Sequence, residues 1–161
     1  MKLSRSLYRH PLAVACATCF GLAALAVAPA GYGALGGNAA SIAEDSAALS
    51  ASAGALLPFS AYTVHELRMP SETLVREYLS ADGKVFAIGW SGPAMPDLRQ
   101  LLGPYFEAYT EAARAQQAGP GPLDVRQSGL VVESGGRMRA FFGRAYLPAA
   151  MPAGVTLDEI R

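Results

Sequence analysis

The stretch YTVHEL, from Tyr62 to Leu67, contains the only histidine after residue 33, and a glutamate follows it directly. A histidine titrates near neutral pH and a carboxylate can orient it, which is the arrangement used in general acid–base catalysis. The surrounding residues predict a strand, in which neighbouring side chains point to opposite faces. Glu66 is therefore a poor partner for His65, and a half-buried strand histidine is favoured over a catalytic one.

Metal and cofactor chemistry has little support in the rest of the chain. A zinc site needs three or four ligands, and the two cysteines, Cys16 and Cys19, both lie in an apolar stretch near the start. The glycine clusters ALGG and GPGP match neither a dinucleotide-binding nor a P-loop pattern. We therefore expect no metal, no cofactor, no disulfide and no thiol nucleophile after residue 33.

Ser91, in GWSGP, resembles the nucleophile elbow of acyl-transfer enzymes, which is G-x-S-x-G on a strand-to-helix turn. A predicted strand precedes the serine and a predicted helix follows it. However, Pro93 stands where the second glycine belongs, and the only available base, His65, comes before the serine in the chain. A plain Gly-Pro turn is the favoured interpretation. His65 and Ser91 are the candidate catalytic residues, with Glu77 as an alternative partner of His65.

Arg137, Arg139 and Phe141 occupy alternate positions of a predicted strand, so their side chains are expected on one face. Guanidinium groups bind carboxylates, phosphates and anionic glycans. A solvated outer face is the simpler interpretation, because charged side chains protect edge strands from pairing with other chains. The sequence makes these three residues its candidate binding site.

The first 33 residues have the order of parts of an export signal. Three basic residues precede a stretch from Leu12 to Val27 without any charge, and small residues follow. Cleavage after Ala30 fits A-x-A, whereas cleavage after Gly33 fits small-x-small and would begin the mature chain with ALGG. An uncleaved membrane anchor is the alternative, because about 20 apolar residues span a bilayer. The sequence predicts a periplasmic or secreted protein that contacts the membrane only if the leader is retained.

Length and charge favour one globular unit after the leader, without a nucleic-acid partner. The chain has 161 residues, 52% of them hydrophobic and 16% charged, which suits one core and is too short for two typical domains. Three of the thirteen Lys and Arg residues and none of the thirteen Asp and Glu residues lie in the leader, so the rest has a net charge of −3. Nucleic-acid binding requires a basic patch or stripe.

Residues 34–57 are rich in Ala, Ser and Gly, and we expect them to precede a single domain over residues 58–161. Ser41 and Glu44 have the spacing of a capping box, which predicts a short helix from about Ile42 to Ala51. The strands that would hold His65 and Ser91 begin only after this segment.

Three strand-like runs extend from Tyr62 to Trp90 and predict an antiparallel meander, with Asp82-Gly83 as a hairpin turn. The third run, KVFAIGW, is apolar at both parities, which indicates a strand covered on both faces. Phe86, Ile88 and Trp90 are expected on the same side of it.

Apolar residues then recur at spacings of three and four from Leu98 to Ala113, which predicts one helix. Asp97 opposes the positive end of its dipole, and Pro104 kinks it. LDVRQ and LVVES read as strands, with Gly135-Gly136 joining the latter to RMRAFFGRAYL as a second hairpin. The fold class expected is α+β, an antiparallel sheet of about five to six strands with helices packed on one face.

Three blocks of the chain resemble a known family, domain of unknown function 2844. They are YTVHELRMPSETLVREYLSADGKVFAIGWSGPAMPDLRQLLGPYF, LVVESGGRMRAFFGRAYLP and PAGVTLDEI, and ALGG lies at the expected start. Members often have glycine after the PS of the first turn, where this chain has Glu72. The resemblance implies a small exported proteobacterial protein, without catalytic residues to transfer and with a co-encoded exported protein as an expected partner.

The absence of a convincing catalytic set favours a non-enzymatic binding or accessory module for an envelope protein or component. One alternative is an envelope hydrolase using His65 with Ser91 or a carboxylate. The other is a membrane-anchored accessory subunit that keeps its leader.

Overall fold

A computed structural model describes residues 34–116, 122–127 and 129–161, so the predicted leader lies outside the described residues. These residues form an α+β fold with three α-helices and one seven-stranded sheet, which confirms the expected class and corrects the expected five to six strands. The helices are α1 (Ala39–Ala48), α2 (Leu98–Leu102) and α3 (Phe106–Gln116). The strands are β1 (Ser52–Pro58), β2 (Tyr62–Arg68), β3 (Leu74–Ser80), β4 (Val85–Gly92), β5 (Leu123–Gln127), β6 (Leu130–Arg137) and β7 (Ala140–Tyr146).

The sheet order is β1-β2-β3-β4-β7-β6-β5, and every neighbouring pair is antiparallel. The predicted three-strand meander has a fourth strand, β1, at its edge. All seven residues of β1 are exposed, and Ala, Ser and Gly have low strand propensity, so the sequence carries no alternating signal there. Helix α1 and all but the last residue of β1 therefore lie within residues 34–57.

Helix α1 begins at a different cap from the predicted one. The side chain of Asn38 accepts a hydrogen bond from the Ala40 amide at 2.8 Å, whereas Ser41 lies inside the helix and its hydroxyl donates to the Asn38 carbonyl. Asparagine is among the best N-cap residues, and it comes first in the chain. The helix consequently starts three residues before the predicted Ile42.

The predicted kinked helix is two helices. Asp97 caps α2 by accepting hydrogen bonds from the Arg99 and Gln100 amides at 2.9 and 3.2 Å. Gly103, at φ 50° and ψ −119°, ends it, and a 3₁₀ turn containing Pro104 leads into α3. Proline lacks the amide hydrogen that would continue the α-helical ladder. The predicted stripe still packs against one core, with Leu98, Leu101 and Leu102 buried and Tyr105, Phe106, Tyr109 and Ala112 partly buried.

The two faces of the sheet are covered by different parts of the chain. All three α-helices pack on one face, which we call the helix face. The other, the second face, carries an aromatic cluster that includes Tyr62, Tyr78 and Phe86, and residues 148–161 lie over it. No helix in the described residues is long and apolar enough to cross a bilayer.

Strand β4 is buried on both faces, as predicted, but Phe86 lies on the second face and not with Ile88 and Trp90. Between the pairs made by Tyr78 and Leu79 of β3, β4 has one extra residue. Such a bulge reverses the facing of the residues before it. Phe86 therefore packs against Tyr62 and Tyr78, at ring-centroid distances of 5.9 and 6.1 Å.

The second hairpin turns three residues later than predicted. Gly135 and Gly136 are paired within β6, opposite Phe142 and Phe141 of β7, and the turn consists of Met138 and Arg139. The glycines fit the ladder because the Phe142 ring covers Gly135, where an added Cβ would lie 3.1 Å from the ring. The strands predicted for LDVRQ and LVVES are present as β5 and the start of β6.

Candidate functional site

The sheet separates the two candidate catalytic residues. His65, Glu77 and Ile88 lie opposite one another across β2, β3 and β4, and Ile88 packs in the core of the helix face. Ser91 is three residues beyond Ile88 on the same strand, which puts its side chain on the second face. A serine nucleophile and its base must come within hydrogen-bond distance of each other. The structure does not bring His65 and Ser91 together.

His65 and Glu77 are neighbours in register but have different surroundings. His65 is half-buried and borders a depression of about 360 Å³ between α1 and β1, and burial lowers the pKa of its imidazole. Glu77 is fully buried, and its carboxyl oxygens have no hydrogen bond to His65. A substrate in the depression would meet His65 without meeting Glu77.

Glu77 instead faces Asp45 of α1, in a buried carboxyl pair that sequence reasoning missed. Both residues have 0% exposed surface. Asp45 accepts hydrogen bonds from the Ala34 backbone nitrogen at 2.9 Å and from the Gln100 side chain at 2.7 Å. The sequence does contain a signal for this pair, because each carboxyl shares a face with apolar residues. Asp45 lies on the inward side of α1 with Ile42, and Glu77 lies on the helix face of the sheet with buried strand residues.

Burial and the neighbouring charge of Asp45 raise the pKa of Glu77 to about 9, and burial also raises the pKa of Asp45. At neutral pH the Glu77 carboxyl is thus protonated. Outside the pair, no described residue donates a hydrogen bond to the Glu77 oxygens. A hydrogen bond between the two carboxyl groups therefore uses the proton that the pair itself holds. Neither carboxyl lines the depression beside His65. The pair instead forms a contact between α1 and strand β3 of the sheet.

A groove of about 550 Å³ opens on the second face, where β4 ends, β7 begins and the last residues of the chain cross the sheet. Phe142 contributes exposed apolar surface to its lining, which also includes Leu123, Ile160 and the arginines Arg76, Arg144 and Arg161. Ser91 also borders it.

Two of the groove's arginines are already neutralised. Arg76 Nε lies 2.8 Å from Glu66 Oε1, and Arg144 Nη2 lies 2.6 Å from Glu133 Oε2. Arg144 also donates to the Leu157 carbonyl at 2.5 Å, which holds residues 148–161 in place. Two of the three arginines of the groove thus have balanced charges, and together with the apolar surface of Phe142 they suit a peptide better than a phosphate.

The candidate binding residues do not share a strand face. Arg137 ends β6, Arg139 lies in the turn with φ 64°, and half-buried Phe141 is in β7. The turn found at Met138 and Arg139 is the reason, since it divides the predicted strand in two. Their role in binding stays a prediction. Phe142 is the exposed aromatic of this hairpin, at 58%, and Met138 at its tip is 87% exposed.

A second exposed apolar surface lies at the far edge of the sheet. Leu56 and Leu57 of β1 are 61% and 39% exposed, and Phe59 after it is 53% exposed and stacks on Tyr62. Leu57 and Phe59 border a depression of about 310 Å³, smaller than the groove, whose lining also includes Arg76 and Arg161. Within the described residues, no group of three or more His, Cys, Asp or Glu side chains is placed to hold a metal ion.

The fold and its surfaces define a small single-sheet α+β domain with a groove on the face opposite its helices. Residues 31–160 match the family described as "Protein of unknown function (DUF2844)", and the chain belongs to this family. The match confirms the resemblance seen in the three sequence blocks. No curated protein and no solved structure matches the chain.

Proposed function

We propose that this chain is exported and acts as a non-enzymatic binding module for a protein partner of the cell envelope. The observation that carries the proposal is Phe142, which is 58% exposed at the border of the 550 Å³ groove. Large exposed apolar side chains beside a concave surface are typical of interaction sites.

An extended peptide is the occupant that the groove fits best. Aromatic residues and arginines dominate the energetics of protein interfaces, and both types meet here. The balanced charges of Arg76 and Arg144 offer little attraction to a free phosphate. Met138, beyond the groove on the same hairpin, adds exposed apolar surface that a small molecule in the groove would leave uncovered.

Export rests on the leader, whose charged start, apolar stretch and small residues form a secretion signal. The absence of cysteine after residue 33 is compatible with an oxidising compartment. The hydrolase alternative lacks support of this kind, because His65 and Ser91 face opposite sides of the sheet.

The test places a photo-crosslinking amino acid at Phe142 in the exported protein and, as a matched control, at Leu56, which is similarly exposed on the edge strand β1. We expect a defined envelope protein to be crosslinked from position 142 and not from position 56. With that protein purified, Phe142→Ala should weaken binding at least tenfold, as is typical of an aromatic hot spot, and Leu56→Ala should leave it unchanged.

Equal affinities of wild type and Phe142→Ala for the purified partner would show that the groove is not the binding surface. Arg137→Ala/Arg139→Ala tests the turn separately. Exposed charges at the edge of an interface mainly affect association, so this pair should lower the association rate and its salt dependence more than it raises the dissociation rate.

A further inference from the structure

The buried Asp45–Glu77 pair lies directly beside the first described residue. Ala34 has 0% exposed surface, and its backbone nitrogen donates to Asp45 Oδ2 at 2.9 Å. The residues after it are fixed by backbone hydrogen bonds to α2 and β4: the Leu35 amide to the Leu101 carbonyl at 3.2 Å and the Gly36 amide to the Val85 carbonyl at 2.9 Å. These bonds to α2 and β4 fix the nitrogen of Ala34 beside the carboxyl pair.

The carboxyl pair has no cationic partner among the described residues. Its surroundings are Gln100 on α2, Glu44 on α1 and the backbone of Ala34, and none of these carries a positive charge. His65 lies across from Glu77 in register, and burial disfavours its charged form. A buried carboxylate without a cation is costly, and buried charges in proteins are normally paired.

We propose that the chain is processed between Gly33 and Ala34 and that the α-ammonium group so produced is the missing cation of the Asp45–Glu77 pair. Of the two cleavage sites that the sequence allows, only this one creates a charged amine at the nitrogen that already contacts Asp45. Cleavage after Ala30 would leave an uncharged amide there.

The chemistry is a hydrolysis by a signal peptidase of the exporting cell. The Gly33–Ala34 peptide bond breaks and one water is consumed, leaving a carboxyl group on Gly33 and an amino group on Ala34 that takes up a proton. The ammonium has three donors where the amide had one. With Asp45 ionised and Glu77 protonated, the ammonium makes the net charge of the three groups zero. Processing would thus supply the buried carboxylate with a cationic partner.

This inference rests on the export part of the proposed function, and the first experiment separates the two. The chain is expressed with its own leader in a Gram-negative host, and the N-terminus of the exported protein is determined by mass spectrometry. We expect Ala34. A start at Gly31 would support export and overturn this inference, whereas a full-length cytoplasmic chain would overturn both.

The second experiment asks whether the amine is buried. Lys84 is the only lysine after residue 33 and is exposed, so it provides an internal control for acetylation with an amine-specific reagent. In folded protein beginning at Ala34, the α-amine should react at least tenfold more slowly than in the same protein unfolded in urea. Lys84 should react at similar rates in both. An α-amine that reacts equally fast in both states would contradict the proposal.

The third experiment compares protein beginning at Ala34 with protein that retains Gly33. At pH 7 we expect the first to melt about 4 °C higher, a shift typical of one added favourable interaction in a domain of this size. The difference should vanish in Asp45→Asn and persist in Glu44→Gln, which alters an exposed carboxyl of the same helix. If Asp45→Asn fails to fold, the labelling of the wild type still decides the question. Equal melting temperatures of the two wild-type forms would overturn the ion pair.

Discussion

Glu77 makes the stability of the fold depend on pH, through a single carboxyl group. Burial, with the charge of Asp45, raises its pKa from 4.5 to about 9 in the folded state. Between these values the folded protein holds a proton that the unfolded chain has released. The stabilising contribution is therefore complete below about pH 4.5 and is lost as the pH rises through 9.

For protein that retains Gly33, we expect the free energy of unfolding to fall between pH 5 and pH 9, with a slope of up to about 1.4 kcal/mol per pH unit from this group. Glu77→Gln, which keeps the shape and cannot ionise, should flatten that slope. Urea unfolding at pH 5, 7 and 9 measures it. Glu44→Gln is the control, and equal slopes for wild type and Glu77→Gln would refute the assignment.

Glu72 adopts a backbone conformation that favours glycine. Its φ is 65°, in the left-handed region. The left-handed conformation costs a residue with a side chain about 1–2 kcal/mol, although glycine loses part of this gain through the greater freedom of the unfolded chain.

We expect Glu72→Gly to raise the free energy of unfolding by about 0.5 kcal/mol. The ion pair that it removes, Arg68 with Glu72 at 3.6 Å, is largely exposed and contributes little. Glu72→Ala removes the same ion pair but keeps the strained conformation, so it should not stabilise the protein. Chemical denaturation of the three proteins provides the comparison, and a stabilising alanine would exclude strain as the cause.

The β6–β7 hairpin has two glycines covered by aromatic rings on opposite faces. Gly135 lies under exposed Phe142, whereas Gly143 lies under Trp90, which is 1% exposed. A Cβ at Gly143 would be 2.3 Å from the indole ring and 2.7 Å from the Glu133 carbonyl. A buried ring cannot move aside without disturbing the core, while an exposed one can rotate.

Gly143→Ala should therefore lower the free energy of unfolding by about 2–3 kcal/mol, as overpacking of a core does. Gly135→Ala, on the same hairpin, should cost less than about 1 kcal/mol because the Phe142 ring can shift. Thermal or urea unfolding distinguishes the two variants. Similar losses at both positions would mean that strand geometry, and not the buried ring, decides the cost.

The last residues of the chain pack across the second face of the sheet and cover part of it. The Tyr78 hydroxyl accepts a hydrogen bond from the Arg161 amide at 2.9 Å and lies 3.2 Å from the Arg161 carbonyl, to which it donates. Gly89 allows this approach, since a Cβ there would be 2.4 Å from the Arg161 carbonyl oxygen. Ile160, 1% exposed, is buried as a result.

Tyr78→Phe should release this segment while leaving the aromatic cluster packed. Losing two hydrogen bonds at a buried site should cost about 1–3 kcal/mol. Hydrogen exchange followed by mass spectrometry should show faster exchange in residues 157–161 and unchanged protection in β2 and β3. Protection of the segment equal to that in the wild type would show that Arg144 and Ile160 hold it without Tyr78.

Local sequence patterns predicted the elements of this fold whose side chains alternate between core and solvent or form one stripe. The strand over Tyr62–Arg68 and the stripe from Leu98 follow from such periodicity, and the strand over Val85–Gly92 follows from a short run that is apolar at both parities. Strand β1 escaped because an exposed edge strand of small residues has no alternation, and its pairing with β2 alone defines it. The turn after Arg137 was not predicted because the glycine pair before it resembles a turn signal. In the fold these glycines are paired within β6, where the Phe142 ring covers Gly135.

The arrangement of the candidate site was harder to predict than the strands and helices, because it depends on contacts between residues distant in the chain. The residue types available for chemistry, including one histidine and no cysteine after residue 33, can be read from the chain directly. The folded sheet was needed to show that His65 and Ser91 face opposite sides, that Asp45 and Glu77 meet, and that Phe142 borders a groove. The physical reason is that side-chain periodicity acts over a few residues, whereas these contacts join elements distant in the chain and are set by strand register and packing.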